Sequence, residues 1–247
     1  SAHADDDFSK NKSIAELTDW NIYSPVWAPV SLEDQWLKLQ DKDPFDYAKV
    51  ERKIPASKEL KVSFDLKAGQ NNKGTLQIEF LDENGIACSR MELTDDGIFR
   101  LKGGSRFANM MKYEAGKVYH VEAVLSTVDR NIQVYVDGKR VGLRMFYAPV
   151  AAVERIVFRT GVPRTFPTVD TPADQTYDLP DAGAQDPLAE YGIANVKTSS
   201  ADKDASSALL KYADFSHYSD CFNGMEDENV VQAIPNAKAS EWMEENI

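Results

Sequence analysis

The side chains best suited to chemistry in this chain are polar groups that alternate with apolar ones. Gln77 and Glu79 alternate with leucine and isoleucine, and Arg90 and Glu92 alternate with methionine and leucine. Successive side chains of a β-strand point to opposite faces, so these groups are expected on polar faces. Amide, carboxylate and guanidinium groups beside an aromatic ring can bind sugar hydroxyls. The candidate glycan-binding residues are therefore Gln77, Glu79, Arg90, Glu92, His120, Gln133 and Tyr135. The alternative is an ordinary solvated sheet face with cross-strand ion pairs.

No residue is assigned a catalytic role by spacing. Retaining glycosidases need two carboxylates about 5.5 Å apart, and the nearest substitute here is Glu79 with Glu92 on strands joined by one hairpin. Arg90-Met91-Glu92-Leu93 and Tyr113-Glu114-Ala115-Gly116 resemble elements of jelly-roll alginate lyases, but Glu79 stands where that family has a histidine. An enzyme would therefore use Arg90, Glu92 and His120 in a groove, and this hypothesis is kept as the alternative.

Metal and thiol chemistry have weaker candidates. Asp170, Asp174 and Asp178 could supply oxygen ligands to a structural calcium ion, although their spacing matches no compact calcium loop, and a merely acidic loop is the alternative. No other cofactor is expected. Cys88 and Cys221 belong to no metal-spaced pair, so they are either two free thiols or one disulfide.

Composition limits the partners. The 247 residues include 40 Asp and Glu against 28 Lys and Arg, a formal net charge of −12. This balance opposes binding to nucleic acid, and no apolar run approaches the roughly 20 residues needed to span a membrane. We expect no nucleic acid partner and no membrane insertion.

The elements that position the candidate residues read as β-strands. Leu60, Val62, Phe64 and Leu66 alternate with polar residues, and the pairs Asn84-Gly85, Asp96-Gly97 and Asp137-Gly138 predict hairpin turns. The segment with Phe107, Met110, Met111 and Tyr113 is less periodic and is predicted as a loop. About ten to twelve strands with short turns predict an all-β, two-sheet antiparallel sandwich.

The run Tyr-His-Val-Glu-Ala-Val, followed by Gln-Val-Tyr-Val-Asp-Gly-Lys-Arg-Val, spans residues 119–141. It resembles the signature of concanavalin A-like, laminin-G-like sandwich domains. The resemblance covers most of residues 19–198 and implies a jelly-roll fold that is shared by many functions.

The rest of the chain is divided by composition. Residues 1–18 are predicted to be a mobile arm, 163–192 a long Pro- and Asp-rich loop within the 19–198 sandwich, and 199–208 a linker. In the last segment, 209–247, Ala239, Trp242, Met243 and Ile247 fall on one face of a short helix.

Residues 220–237 resemble the entry to the (α/α)6-barrel domain of bacterial glycoside hydrolases that carry a concanavalin-like domain on their N-terminal side. The resemblance implies that 209–247 begins a truncated helical domain. A stub folded onto the sandwich is the alternative. The resemblance to these hydrolases also implies that the chain is a non-catalytic accessory or carbohydrate-binding module of a polysaccharide-degrading enzyme. That enzyme would lie in the periplasm or at the cell surface, or would be secreted. The partner of the module would be an oligo- or polysaccharide, or an adjacent catalytic domain.

Overall fold

The computed structural model describes residues 2–43, 46–161 and 189–201. These residues form fifteen β-strands and one short 3-10 helix, Ile14–Glu16. The strands make two antiparallel sheets, so the prediction of an all-β sandwich is confirmed.

The first sheet has eight strands. Seven of them follow the spatial order β13-β12-β11-β6-β15-β4-β3, and β1 pairs with β15 outside that path. Its strands are β1 (Asp5–Asp6), β3 (Val30–Glu33), β4 (Trp36–Asp41), β6 (Glu59–Ala68), β11 (Tyr119–Ser126), β12 (Asn131–Val136), β13 (Lys139–Met145) and β15 (Ala189–Ser200).

The second sheet has seven strands in the order β10-β9-β8-β7-β14-β5-β2. Its strands are β2 (Trp20–Tyr23), β5 (Lys49–Ser57), β7 (Leu76–Leu81), β8 (Ala87–Leu93), β9 (Ile98–Gly103), β10 (Arg106–Lys112) and β14 (Val153–Thr160).

The core lies between the two sheets and is built by alternation. On β6 the side chains of Leu60, Val62, Phe64 and Leu66 are buried, as the sequence pattern predicts. Phe64 meets Phe158 of the opposite sheet edge to face, with ring centres 5.0 Å apart. The other face of each sheet therefore points away from the core, and the sandwich separates these two outer faces.

The predicted turns join consecutive strands, with different lengths. Asp137 and Gly138 both have positive φ, at 49° and 83°, in a two-residue hairpin between β12 and β13. The other two connections span residues 82–86 and 94–97, and in them only Gly85 and Gly97 have positive φ. All three predicted turns therefore join neighbouring strands, and two of them are longer than two residues.

Two strands differ from the sequence predictions. The segment predicted as a loop around Phe107 is the edge strand β10, whose register shifts at a bulge between Asn109 and Met111. The bulge explains the weak periodicity. The nine-residue strand β5 was missed because it contains Pro55 and the charged pair Arg52 and Lys53.

Residues 2–18 pack against the sandwich, which differs from the expected mobile arm. Phe8 and Leu17 are buried, and β1 pairs with β15. Arg52 explains the attachment: its Nε donates to Asp6 Oδ2 at 2.8 Å, and the indole nitrogen of Trp20 donates to the same oxygen at 2.9 Å.

Strand β15 takes up the end of the predicted long loop and the start of the predicted linker. Residues 189–192 belong to this strand instead of to the long loop, and residues 199 and 200 belong to it instead of to the linker. The calcium candidates Asp170, Asp174 and Asp178, the remaining linker, Cys221 and the predicted helix of 209–247 lie outside the described residues.

Candidate functional site

The outer face of the seven-stranded sheet gathers most of the polar side chains that the sequence singled out. Gln77 and Glu79 of β7 lie directly opposite Glu92 and Arg90 of β8, and all four point away from the core. The alternation therefore predicted their face correctly. It did not predict their exposure, because Gln77 is only 3% exposed and Arg90 only 6%.

Strand register extends this group into a row that crosses all seven strands. Each member is the direct cross-strand partner of the next. At about 4.8 Å between strands, the row is roughly 29 Å long. Its members, in spatial order, are Tyr23, Lys49, Arg159, Gln77, Glu92, Arg100 and Asn109.

Positive charge dominates this surface. Its five central strands carry seven Lys or Arg side chains against three Glu side chains on the outer side, and we call it the basic face. The cations are Lys49, Lys53, Arg90, Arg100, Lys102, Arg155 and Arg159, and the acids are Glu51, Glu79 and Glu92.

Each of the three acids is held by one arginine. Arg90 lies 3.4 Å from Glu79, Arg100 lies 2.8 Å from Glu92, and Arg155 lies 3.5 Å from Glu51. Glu51 also accepts a hydrogen bond of 2.9 Å from the Asn21 amide. The carboxylates of the basic face are thus already engaged, and the excess charge resides on the other cations.

Aromatic rings flank the basic face at both ends. The guanidinium of Arg159 stacks 4.1 Å from the ring centre of Tyr47, and that of Arg100 stacks 4.1 Å from the ring centre of Phe107. Near β8, the fully buried ring of Tyr147 lies 4.7 Å from the Lys102 amine. A cation over an aromatic face is attracted by the ring, so these contacts favour keeping Arg159 and Arg100 at the two ends of the face.

Buried polar atoms without partners concentrate at the same place. Eleven such side-chain atoms occur in the described residues, and six of them lie on or beside the basic face. They are Gln77 Oε1, Tyr147 Oη and the Nε atoms of Arg90, Arg100, Arg155 and Arg159. Leaving a buried donor or acceptor unpaired costs about 1–3 kcal/mol, so a concentration of them marks a surface arranged for something besides stability.

The other predicted residues lie on the opposite side of the sandwich. His120, Gln133 and Tyr135 project from the outer face of the eight-stranded sheet, where the Tyr135 hydroxyl donates to Gln133 Oε1 at 3.1 Å. His120 Nδ1 lies 2.8 Å from Asp65, which also accepts a bond of 2.7 Å from the Asn195 amide. The seven candidates are therefore divided between two outer faces.

This division removes the geometry that the alternative catalytic set needs. Arg90 and Glu92 point outward from one sheet and His120 points outward from the other, with the packed core between them. A general base must come within hydrogen-bond reach of the reacting proton, and one groove cannot present all three groups.

Metal and thiol chemistry gain no site in the described part of the chain. No group of three or more His, Cys, Asp or Glu side chains there is arranged to hold a metal ion. Cys88 is buried, and burial raises the pKa of its thiol. In the same residues no helix is long and apolar enough to cross a membrane.

Comparison with known proteins places this geometry in a family. A family model described as "Sialidase-like, CBM domain" matches residues 20–175, more than half of the chain. The chain belongs to this family of sialidase-like carbohydrate-binding modules. The prediction of an accessory carbohydrate-binding sandwich is thereby confirmed.

Solved structures agree with the assignment. A chain titled "Sialidase" is 88% identical, with a TM-score of 0.77 over 99% of the module, and the module spans only 23% of that sialidase. The module is thus similar to one part of a larger protein. Among the curated proteins, none matches its sequence.

Two distant structures show the fold alone. One, titled for endo-acting O-glycanases of the human gut microbiota, has 12% identity and a TM-score of 0.56, covering 80% of the module and 98% of that chain. The other, "Apo Crh5 transglycosylase", has 12% identity and a TM-score of 0.55, covering 81% and 83%.

Sequence analysis missed several members of the basic face. Lys49, Arg155 and Arg159 sit at alternate positions of β5 and β14, and Arg100 does so on β9. The alternation around Arg159 indicates a strand in the sequence, but Lys49 could not be assigned to a face because strand β5 was not predicted. Register, which places Gln77 beside Arg159, could not be read from the sequence.

Proposed function

We propose that the module binds glycan through the basic face. The observation that supports this most directly is the concentration of buried, unpartnered polar atoms there. Sugar hydroxyls both donate and accept hydrogen bonds, so a glycan that displaces the side chains covering these atoms would pair with the Gln77 carbonyl oxygen and with the arginine Nε groups. Binding would then remove the energetic cost of leaving those buried atoms without partners.

The shape of the row suits an extended ligand. Its amide, carboxylate and guanidinium groups are planar and lie in sequence across the sheet, with Tyr47 and Phe107 near its two ends. Binding sites commonly combine apolar or aromatic walls with a few placed polar groups. A chain of sugar units lying along the row would meet both.

The parent protein is part of the proposal. The high identity to part of a sialidase supports a larger glycoside hydrolase that acts on sialylated glycans, with this module as its accessory domain. Such an enzyme would meet its substrate outside the cytoplasm, in the periplasm, at the cell surface or after secretion. A role in polysaccharide utilisation and contact with an adjacent catalytic domain belong to the same proposal.

A matched pair of glutamine variants tests which face binds. Using the 247-residue chain, an array of neutral and acidic glycans would first identify a ligand, and calorimetry would then measure its affinity. We expect Gln77→Ala to weaken binding by about five- to tenfold, the loss of one hydrogen bond in a buried site. Gln133→Ala, on the opposite sheet, should bind like the parent chain.

Two results would overturn the proposal: no glycan on the array binds, or Gln133→Ala loses affinity while Gln77→Ala does not. Thermal unfolding of both variants shows whether a loss reflects misfolding. Because Arg90, Glu92 and His120 are separated, we also expect the chain alone to release no unsaturated or reducing products from glycans.

A further inference from the structure

Two neighbouring cations of the basic face form no ion pair with any carboxylate of the described residues. Arg159 of β14 and Lys49 of β5 are direct cross-strand partners and point to the same side of the sheet. Like charges in this arrangement destabilise a sheet. Across the rest of the face each carboxylate already pairs with another arginine, Glu51 with Arg155, Glu79 with Arg90 and Glu92 with Arg100.

Within the described residues neither cation has a carboxylate within ion-pairing distance. Arg159 lies over Tyr47, with the guanidinium carbon 4.1 Å from the centre of the ring. Arg159 Nε is buried and has no hydrogen-bond acceptor. An arginine can bind a carboxylate through two parallel hydrogen bonds, and a position over an aromatic ring restricts the places that its guanidinium can occupy.

The neighbours of this pair fit a sugar ring. Gln77 lies directly opposite Arg159 on its other side, and its Oε1 is buried without a donor. Tyr23 lies opposite Lys49 and contacts Tyr47, with ring centres 5.2 Å apart. Cationic, amide and aromatic groups thus meet within three neighbouring strands.

We propose that Arg159 and Lys49 form a subsite for the carboxylate of an acidic sugar, so that the module selects anionic glycans. The inference rests on the proposed function, since it assumes that the basic face is the binding face. A carboxylate between the two cations would relieve their repulsion and pair with Arg159. Burial lowers the pKa of Arg159 although the charge of Glu79 opposes the shift, so a carboxylate bound beside the guanidinium would favour its charged form.

Two classes of sugar carry such a carboxylate: nonulosonic acids and uronic acids. The test therefore measures the affinity of the 247-residue chain for 3′-sialyllactose, for trigalacturonate and for lactose as the neutral reference. At least one acidic ligand should bind about tenfold or more tightly than lactose, as one charge-assisted contact implies. The preferred acidic ligand identifies the source of the carboxylate.

Variants then locate the selectivity. Arg159→Gln should abolish the preference for the acidic ligand while retaining weak binding of the neutral one. Arg140→Gln removes the same charge from the exposed β13 strand of the other sheet and should retain the preference. Lys49→Gln, in a half-buried position, provides a second test if Arg159→Gln unfolds, as judged by circular dichroism.

The outcomes separate the two proposals. Equal affinity for acidic and neutral sugars, or a preference that survives both Arg159→Gln and Lys49→Gln, overturns the carboxylate subsite and leaves glycan binding intact. Failure of all three sugars, together with failure of the glycan array, overturns both.

Discussion

Lys102 allows a quantitative test of the electrostatics of the basic face. Its residue is 3% exposed, and its amine lies beside the Tyr147 ring. Burial, together with the nearby charge of Arg90, lowers the pKa of Lys102 from 10.5 to about 8. The folded protein therefore binds this proton less tightly than the unfolded chain does.

The sign of the effect on stability follows from proton binding. Below about pH 8 Lys102 is protonated in both states, so the full cost of burying its charge opposes folding. Between about pH 8 and 10.5 the unfolded state holds more protons, and the free energy of unfolding rises with pH. At about 1.4 kcal/mol per pKa unit, the whole difference amounts to roughly 3 kcal/mol, of which about 2 kcal/mol appears between pH 7 and 9.5.

The assay is urea unfolding of the 247-residue chain and of Lys102→Met at both pH values. Between pH 7 and 9.5 the free energy of unfolding of the parent chain should rise by about 2 kcal/mol more than that of Lys102→Met, because the variant lacks the titrating group. Lys139→Met, at an exposed position of β13, should follow the parent chain. If Lys102→Met changes with pH in parallel with the parent chain, the charge of Lys102 is compensated and the reasoning is wrong.

Three further predictions concern the scaffold. Phe64→Ala should lower the free energy of unfolding by about 3–5 kcal/mol, because it empties a fully buried site against Phe158, whereas Phe64→Leu should cost clearly less in the same urea titration. Gly74→Ala should destabilise more than Gly85→Ala in thermal unfolding: both have positive φ, but a Cβ at 74 would overlap the Cβ of Ala189, and one at 85 meets nothing within 4 Å. Equal losses of thermal stability would mean that the positive φ, and not the overlap with Ala189, accounts for the destabilisation. Arg52→Ala should lower the free energy of unfolding by about 3–5 kcal/mol in urea titration by leaving Asp6 without its buried partner, and adding Asp6→Ala to this variant should recover part of the loss. No recovery in the double variant would mean that the arginine stabilises the fold mainly through the packing of its stem.

The fold could be predicted from the sequence because alternation and glycine turns are local signals. The strand around Phe64 and the hairpin at Asp137-Gly138 both follow from neighbours in the chain. Strand β5 could not be found this way, since Arg52 occupies an inward position, where its ion pair with Asp6 and its hydrogen bond to the Lys53 carbonyl compensate the buried charge. A contact between distant residues thus stabilises a strand that the local sequence pattern does not predict.

The candidate site could be predicted only in part, because it too depends on contacts between distant segments of the chain. Alternation assigned Gln77, Glu79, Arg90 and Glu92 to an outward face, but it gave no means of separating that face from the one carrying His120. That separation depends on which sheet each strand joins. The central members of the row, Arg159 and Gln77, are neighbours only because β14 inserts between β5 and β7.

The net charge of the chain does not describe the local charge of the basic face. A chain with a formal charge of −12 is expected to repel anions, yet seven of its cations share one sheet face with only three acids. At physiological ionic strength, charges are screened beyond about 8 Å, so a bound ligand responds to the side chains around it and hardly to the total. The acidity of the chain therefore argues against long-range attraction of nucleic acid or anionic membranes, which present many charges at a distance. It does not argue against a single carboxylate held between Arg159 and Lys49.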